Sequence, residues 1–71
     1  MKKRKYRELL ELKGLLRENN ITYEFLSNYL KMSIGALSNK INGFSIFNLL
    51  EANQIIVLLK IPKETSYKYF F

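Results

Sequence analysis

The side chains able to do chemistry in this chain are few in kind. Its acidic residues are six glutamates, Glu8, Glu11, Glu18, Glu24, Glu51 and Glu64, and it has no His, Cys or Asp. Nucleophilic, redox and metal-assisted hydrolytic sites draw on those missing types. The glutamates fall at surface-helix and capping positions rather than as an acid–base pair. No enzymatic activity, metal, other cofactor or small-molecule ligand is therefore expected. What the sequence does concentrate is positive charge. Five of twelve basic residues, Lys2, Lys3, Arg4, Lys5 and Arg7, lie in the first seven positions, leaving seven basic against six acidic side chains from Glu8 onward. A basic arm (residues 1–7) on a nearly neutral domain (residues 8–71) suits electrostatic attachment to phosphates.

The elements that must position such groups read as helices. Seventy-one residues make one small domain. Without disulfides its stability must come from an apolar core, which a second subunit can complete in domains of this size. Nearly half the residues are hydrophobic, with five Phe and five Tyr, so the chain is expected to fold. Leu9, Leu12 and Leu16 have the period of one helix face, predicting a first helix from about Arg4 to Asn19. Gly14 inside it implies a close approach by another helix, since Gly there costs about 1 kcal/mol against Ala. Thr22 and Ser33 are N-cap residues for a second and third helix, with Ile21 as a hydrophobic staple. Leu26, Leu30, Leu37 and Ile41 point one way, and small Ser27 lies where the two helices cross. Asn42-Gly43 stops the third helix. Asn48 with Glu51 predicts a capping box opening a fourth helix, whose inward stripe is Leu49, Ala52, Ile56 and Leu59. Ile61-Pro62 ends it, with Pro62 in the first position of a short fifth turn and the aromatic end Tyr67, Tyr69, Phe70 and Phe71 beyond. The expected fold is all-α, a compact bundle of four to five helices.

The stretch from Thr22 to Gly43, a helix, a short turn and a second helix, reads as a helix-turn-helix whose second helix projects from the body. Here the chain resembles the Cro/CI-type (XRE-like) helix-turn-helix regulators of phage and bacteria, a lambda-repressor-like fold. The matching residues are Thr22-Tyr23-Glu24-Phe25-Leu26-Ser27, Leu30-Lys31-Met32-Ser33, Ala36-Leu37-Ser38-Asn39-Lys40-Ile41-Asn42-Gly43, Phe47-Asn48-Leu49-Leu50-Glu51-Ala52 and Ile61-Pro62. Upstream, Leu12-Lys13-Gly14 is similar to the first helix of a phage-associated branch. The resemblance spans about Leu12 to Phe71.

The resemblance implies binding of double-stranded operator DNA and control of transcription by blocking or redirecting RNA polymerase at a promoter, with repression expected ahead of activation. Thr22, Tyr23 and Ser33 would meet the phosphate backbone at helix N-termini, where N–H groups carry partial positive charge. Base contact would fall to Ser38 and Asn39, with Ile34 and Ala36 offering methyl groups to thymine. Lys31, Lys40 and the loop of Asn42, Phe44 and Ser45 would touch phosphates. The arm, Lys2, Lys3, Arg4 and Lys5, would lie along the backbone or enter a minor groove. Two departures from the family pattern matter. Lys31 stands where Gly is usual in the turn, a substitution costing about 1 kcal/mol in a left-handed conformation. Ile34 and Gly35 stand where Arg or Gln often face the groove, so sequence preference is expected to rest partly on DNA shape.

Apolar residues beyond the needs of the core, Leu50, Val57, Tyr67, Tyr69, Phe70 and Phe71, point to a homodimer interface, which would set two third helices about one DNA turn apart. The competing reading is a helical module that presents Ile34, Leu50, Val57 and the aromatic end to a protein partner rather than DNA. A membrane role fits poorly. No stretch of about 18 apolar residues is present, no secretory pattern follows the basic arm, and the arm has no large apolar face of its own. A bacterial cytoplasm, with the protein on the nucleoid when bound, is the expected setting.

Overall fold

A computed structural model of the protein describes residues 3–70. Among these residues the chain forms five helices and no strand: α1 (Leu10–Glu18), α2 (Tyr23–Leu30), α3 (Ile34–Ile41), α4 (Leu49–Leu59) and α5 (Lys63–Phe70). The all-α reading holds. The predicted contributions of Lys2 and Phe71 lie outside the described residues.

Local chemistry sets most of the boundaries. Thr22 Oγ1 accepts from Phe25 N–H and Ser33 Oγ from Ala36 N–H, each at 3.0 Å, so both predicted caps are made. Asn48 and Glu51 exchange side chain-to-backbone bonds at 2.7 and 3.0 Å, completing the capping box with Asn in place of the usual hydroxyl residue. Three helices end on left-handed residues, Asn20, Lys31 and Lys60. After each, the next N–H bonds five residues back: Ile21 to Leu16, Met32 to Ser27 and Ile61 to Ile56, at 2.9 to 3.0 Å. These bonds satisfy carbonyls that a helix end would otherwise orphan.

The first helix begins at Leu10, not near Arg4 as its hydrophobic period suggests. Its N-cap position, Leu9, has no capping side chain. The preceding N–H groups go elsewhere: Lys5 and Tyr6 both donate to Gly43 O at 3.0 and 2.9 Å, and Leu9 donates to Ile41 O at 2.9 Å. In a helix opening near Arg4 the Leu9 N–H would bond to Lys5 O; here it goes to Ile41 O, and residues 3–8 run as an irregular strap across the end of α3. Gly43 makes this approach possible. Its φ is 90°, and a Cβ there would overlap the Tyr6 carbonyl oxygen.

The core gathers Leu12 and Leu16 of α1, Leu26 of α2, Leu37 and Ile41 of α3 and Ile55 of α4, with Leu9, Leu30, Phe47, Ala52, Ile61 and Phe70 around them. Pairwise packing joins α2 to α3, α1 to α5 and α4 to α5. Buried Ser27 sits in α2 and donates its hydroxyl proton to Glu24 O at 2.9 Å, so the small polar residue carries no unsatisfied group into the core.

Four expectations are corrected. The inward side of α4 is Ala52 and Ile55, with Ile56 and Leu59 only half-buried, and Leu49 is 72% exposed. Because α4 is apolar on most sides, period alone does not choose its buried face. Gly14 is exposed, and a methyl group added there would meet nothing within 4 Å, so no helix packs closely against it. Pro62 lies just before α5, and α5 is a full eight-residue helix rather than a short turn. Phe70 is not an interface residue. It is 4% exposed and meets Phe47 edge-on at 5.8 Å, which is core packing.

Candidate nucleic-acid interface

The unit α2–turn–α3 begins with a capped helix N-terminus. Thr22 spends a hydroxyl lone pair on Phe25 N–H, which orients the first turn of α2. Tyr23 is half-buried beside it, in a cleft that also includes Lys13, Leu16, Arg17 and Ile21. Arg17 is a residue that the sequence alone does not bring to this site. The left-handed Asn20 folds the end of α1 back against the start of α2, so a cation from the last turn of α1 joins the α2 N-terminus. A signal for it does exist: an Arg five residues before an N-cap, with Asn-Asn between.

The turn itself is built on Lys31, with φ 59° and ψ 46°. A side chain in that conformation costs about 1 kcal/mol relative to Gly, which the Met32-to-Ser27 bond offsets. Lys31 is exposed. Ser33 then caps α3, and Ser33, Ile34 and Gly35 form the most exposed part of that helix, with Ile34 49% accessible. Ala36 is half-buried behind them, and Leu37 and Ile41 anchor the opposite side in the core.

Further along α3 the predicted contacts divide. Ser38 is half-buried, and its Oγ accepts from Asn42 Nδ2 at 3.0 Å. Asn39 is half-exposed, and its carbonyl accepts Phe44 N–H at 2.9 Å and Ser45 N–H at 3.3 Å, fixing the loop after α3. Asn42 is a hub. Its Nδ2 donates to Ser38 O and Oγ, its Oδ1 accepts from Lys13 Nζ at 2.7 Å, and its carbonyl accepts from Arg4 Nε at 2.6 Å. The side chain is therefore committed to holding α1 and α3 together, while its carbonyl holds the strap.

Lys40 departs from its expected place among the outward phosphate contacts. It is turned inward, 2.6 Å from Glu51 Oε1, with its ammonium 5.9 Å from the Phe47 ring. Burial pushes the Glu51 carboxyl up, but the Lys40 bond, the Asn48 N–H and the Lys40 charge together hold it below its ordinary value. Lys13 pairs with Glu8 as well as with Asn42. That hydrogen bond is the main reason the Glu8 carboxyl is lowered, opposed by desolvation and helped by the charges of Lys13 and Arg4. Arg4 also pairs with Glu8 at 3.2 Å and lies 5.8 Å from the Phe44 ring. Among the described residues, Lys3, Lys5, Arg17 and Lys31, and Lys60 and Lys63 at the α4–α5 corner, are exposed cations with no acidic partner within ion-pair distance.

The predicted dimer residues also separate. Leu50, Val57 and Tyr67 are 69, 72 and 73% exposed, Tyr69 is half-buried under the Lys68 ammonium, and Phe70 is core. Leu49, expected inside from its spacing, joins Leu50 on the exposed side. A second exposed apolar group lies on α2, where Phe25 and Tyr29 stack with ring centres 6.3 Å apart.

Among the described residues, no group of three or more acidic or metal-ligating side chains converges as a metal site would require, and no helix is long and apolar enough to cross a membrane. Comparison with protein-family models, with curated proteins and with solved structures finds no match to this chain.

Proposed function

We propose that this protein binds double-stranded DNA through α2, the Lys31 turn and α3, and regulates transcription at an operator in the manner of the phage-type regulators it resembles. The observation that carries the reading is a pair of N-capped eight-residue helices joined by a left-handed turn, with the uncrowded start of the second helix exposed. In this reading the α2 N-terminus, Thr22, Tyr23 and the neighbouring Arg17 hold a phosphate. Ser33, Ile34, Gly35 and Ala36 enter the major groove first. Base contact falls to Asn39 and Ser38, the α3 positions that the resemblance brings to base edges. With so few long polar groups at the tip, discrimination draws on thymine methyl contacts and DNA shape. Lys40 and the Asn42 side chain act behind the surface, stiffening it.

Leu49, Leu50 and Val57 on α4 are the surface proposed for a second copy. A two-fold pair would present two α3 helices to half-sites about 10 base pairs apart.

Those same exposed apolar groups favour one other reading, docking to a protein partner. Salt separates the two. Binding of an arbitrary fluorescent duplex should weaken steeply from 50 to 200 mM salt if several phosphates are neutralised, by about tenfold or more. No binding to duplex at about 50 mM salt would reject the DNA reading and favour a protein partner.

A further inference from the structure

We infer that residues Lys3 to Arg7 form a docked strap, not a free tail, and that it presents Lys3 and Lys5 to the DNA phosphate backbone beside the C-terminal end of α3. Two sets of bonds fix its course. Lys5 N–H and Tyr6 N–H share the Gly43 carbonyl at 3.0 and 2.9 Å. Arg4 donates to the Asn42 carbonyl at 2.6 Å, pairs with Glu8 at 3.2 Å and covers the Phe44 ring at 5.8 Å. Gly43 is what lets the two segments touch, since a Cβ would collide with the backbone of Tyr6 and Arg7.

The consequence concerns charge placement. Arg4 is occupied at the base of the strap, whereas Lys3 and Lys5 on either side of it are exposed and without an acidic partner among the described residues. They flank Asn42, Gly43 and Phe44, the loop that leaves α3. Two cations held at that position extend the phosphate-facing edge of the helix-turn-helix with little ordering cost on binding.

The inference rests on the DNA-binding reading, and the test separates the two. Binding of a fluorescent random-sequence duplex is measured against salt for the full chain, for Lys3→Ala/Lys5→Ala, and for Lys60→Ala/Lys63→Ala at the α4–α5 corner. Loss of two phosphate contacts should lower the slope of log K against log salt by about 1.8 in the strap variant, with the corner variant unchanged. An unchanged slope in the strap variant, while the parent chain binds, overturns the strap's role and leaves the DNA reading standing. Failure of the parent chain to bind rejects both. Amide hydrogen exchange of the free protein tests the docking independently: Lys5 and Tyr6 amides should be protected, and exchange at unprotected rates would overturn the docked strap.

Discussion

One carboxylate oxygen, Glu51 Oε1, accepts both the Lys40 ammonium at 2.6 Å and the Asn48 N–H at 3.0 Å. The end of α3 is thereby tied to the capping box that starts α4. A group that its sequence position marks as an outward phosphate contact instead fixes the angle at which α3 leaves the body. Replacing Lys40 with Met should lower stability by about 1 kcal/mol, the order expected for a charged hydrogen bond discounted for partial exposure, measured by urea unfolding. The salt slope of DNA binding should stay as it is. A drop of about 0.9 in that slope would instead put Lys40 on a phosphate.

The lowered carboxyls of Glu8 and Glu51 make stability depend on pH in one direction. Both have folded-state values below the ordinary 4.5, so the unfolded chain binds protons first as pH falls. Their stabilisation is complete at neutral pH and is lost progressively below about pH 5, down through the folded values. The urea midpoint should fall over that window. In Glu51→Gln the midpoint should start lower at neutral pH and fall less steeply in acid. An equal slope in both proteins would mean that Glu51 does not contribute.

Gly43 and the strap can be tested through stability alone. A side chain at φ 90° is strained, and its Cβ would run into the Tyr6 carbonyl. Gly43→Ala should destabilise the protein by about 2–3 kcal/mol, read from the denaturant midpoint. A cost under about 0.5 kcal/mol would show that the strap moves aside freely.

Gly14 should behave in the opposite sense. It is exposed in the middle of α1, and an added methyl group meets nothing within 4 Å. Gly14→Ala should stabilise by about 1 kcal/mol and raise Tm by about 4–8 °C in a domain of this size. A fall in Tm would mean that the open cleft Gly14 lines with Glu11, Leu15 and Glu18 of α1 and Lys68 and Tyr69 of α5 needs the glycine.

The contrast between these two glycines shows what can be read from sequence. Thr22, Ser33 and the Asn48–Glu51 pair mark helix starts because capping is settled within four residues, and the structure places all three as expected. The start of α1 is illegible for the opposite reason. The acceptor that competes for its Leu9 N–H, Ile41 O, lies more than thirty residues away in sequence. Lys40 misleads because its partner is on another helix. Leu49 misleads because α4 is apolar on most sides, leaving its face to be chosen by what packs against it. Within the candidate site, the capped N-termini and the left-handed Lys31 are legible, whereas the roles of Arg17 and Asn42 depend on how α1 and the strap fold back.

Selection from a pool of random duplex DNA, at low and at physiological salt, tests the DNA-binding reading most directly. The expected result is enrichment of a two-fold-symmetric site with half-sites about 10 base pairs apart, with the enrichment lost in Asn39→Ala. Retention of no duplex at low salt would contradict it.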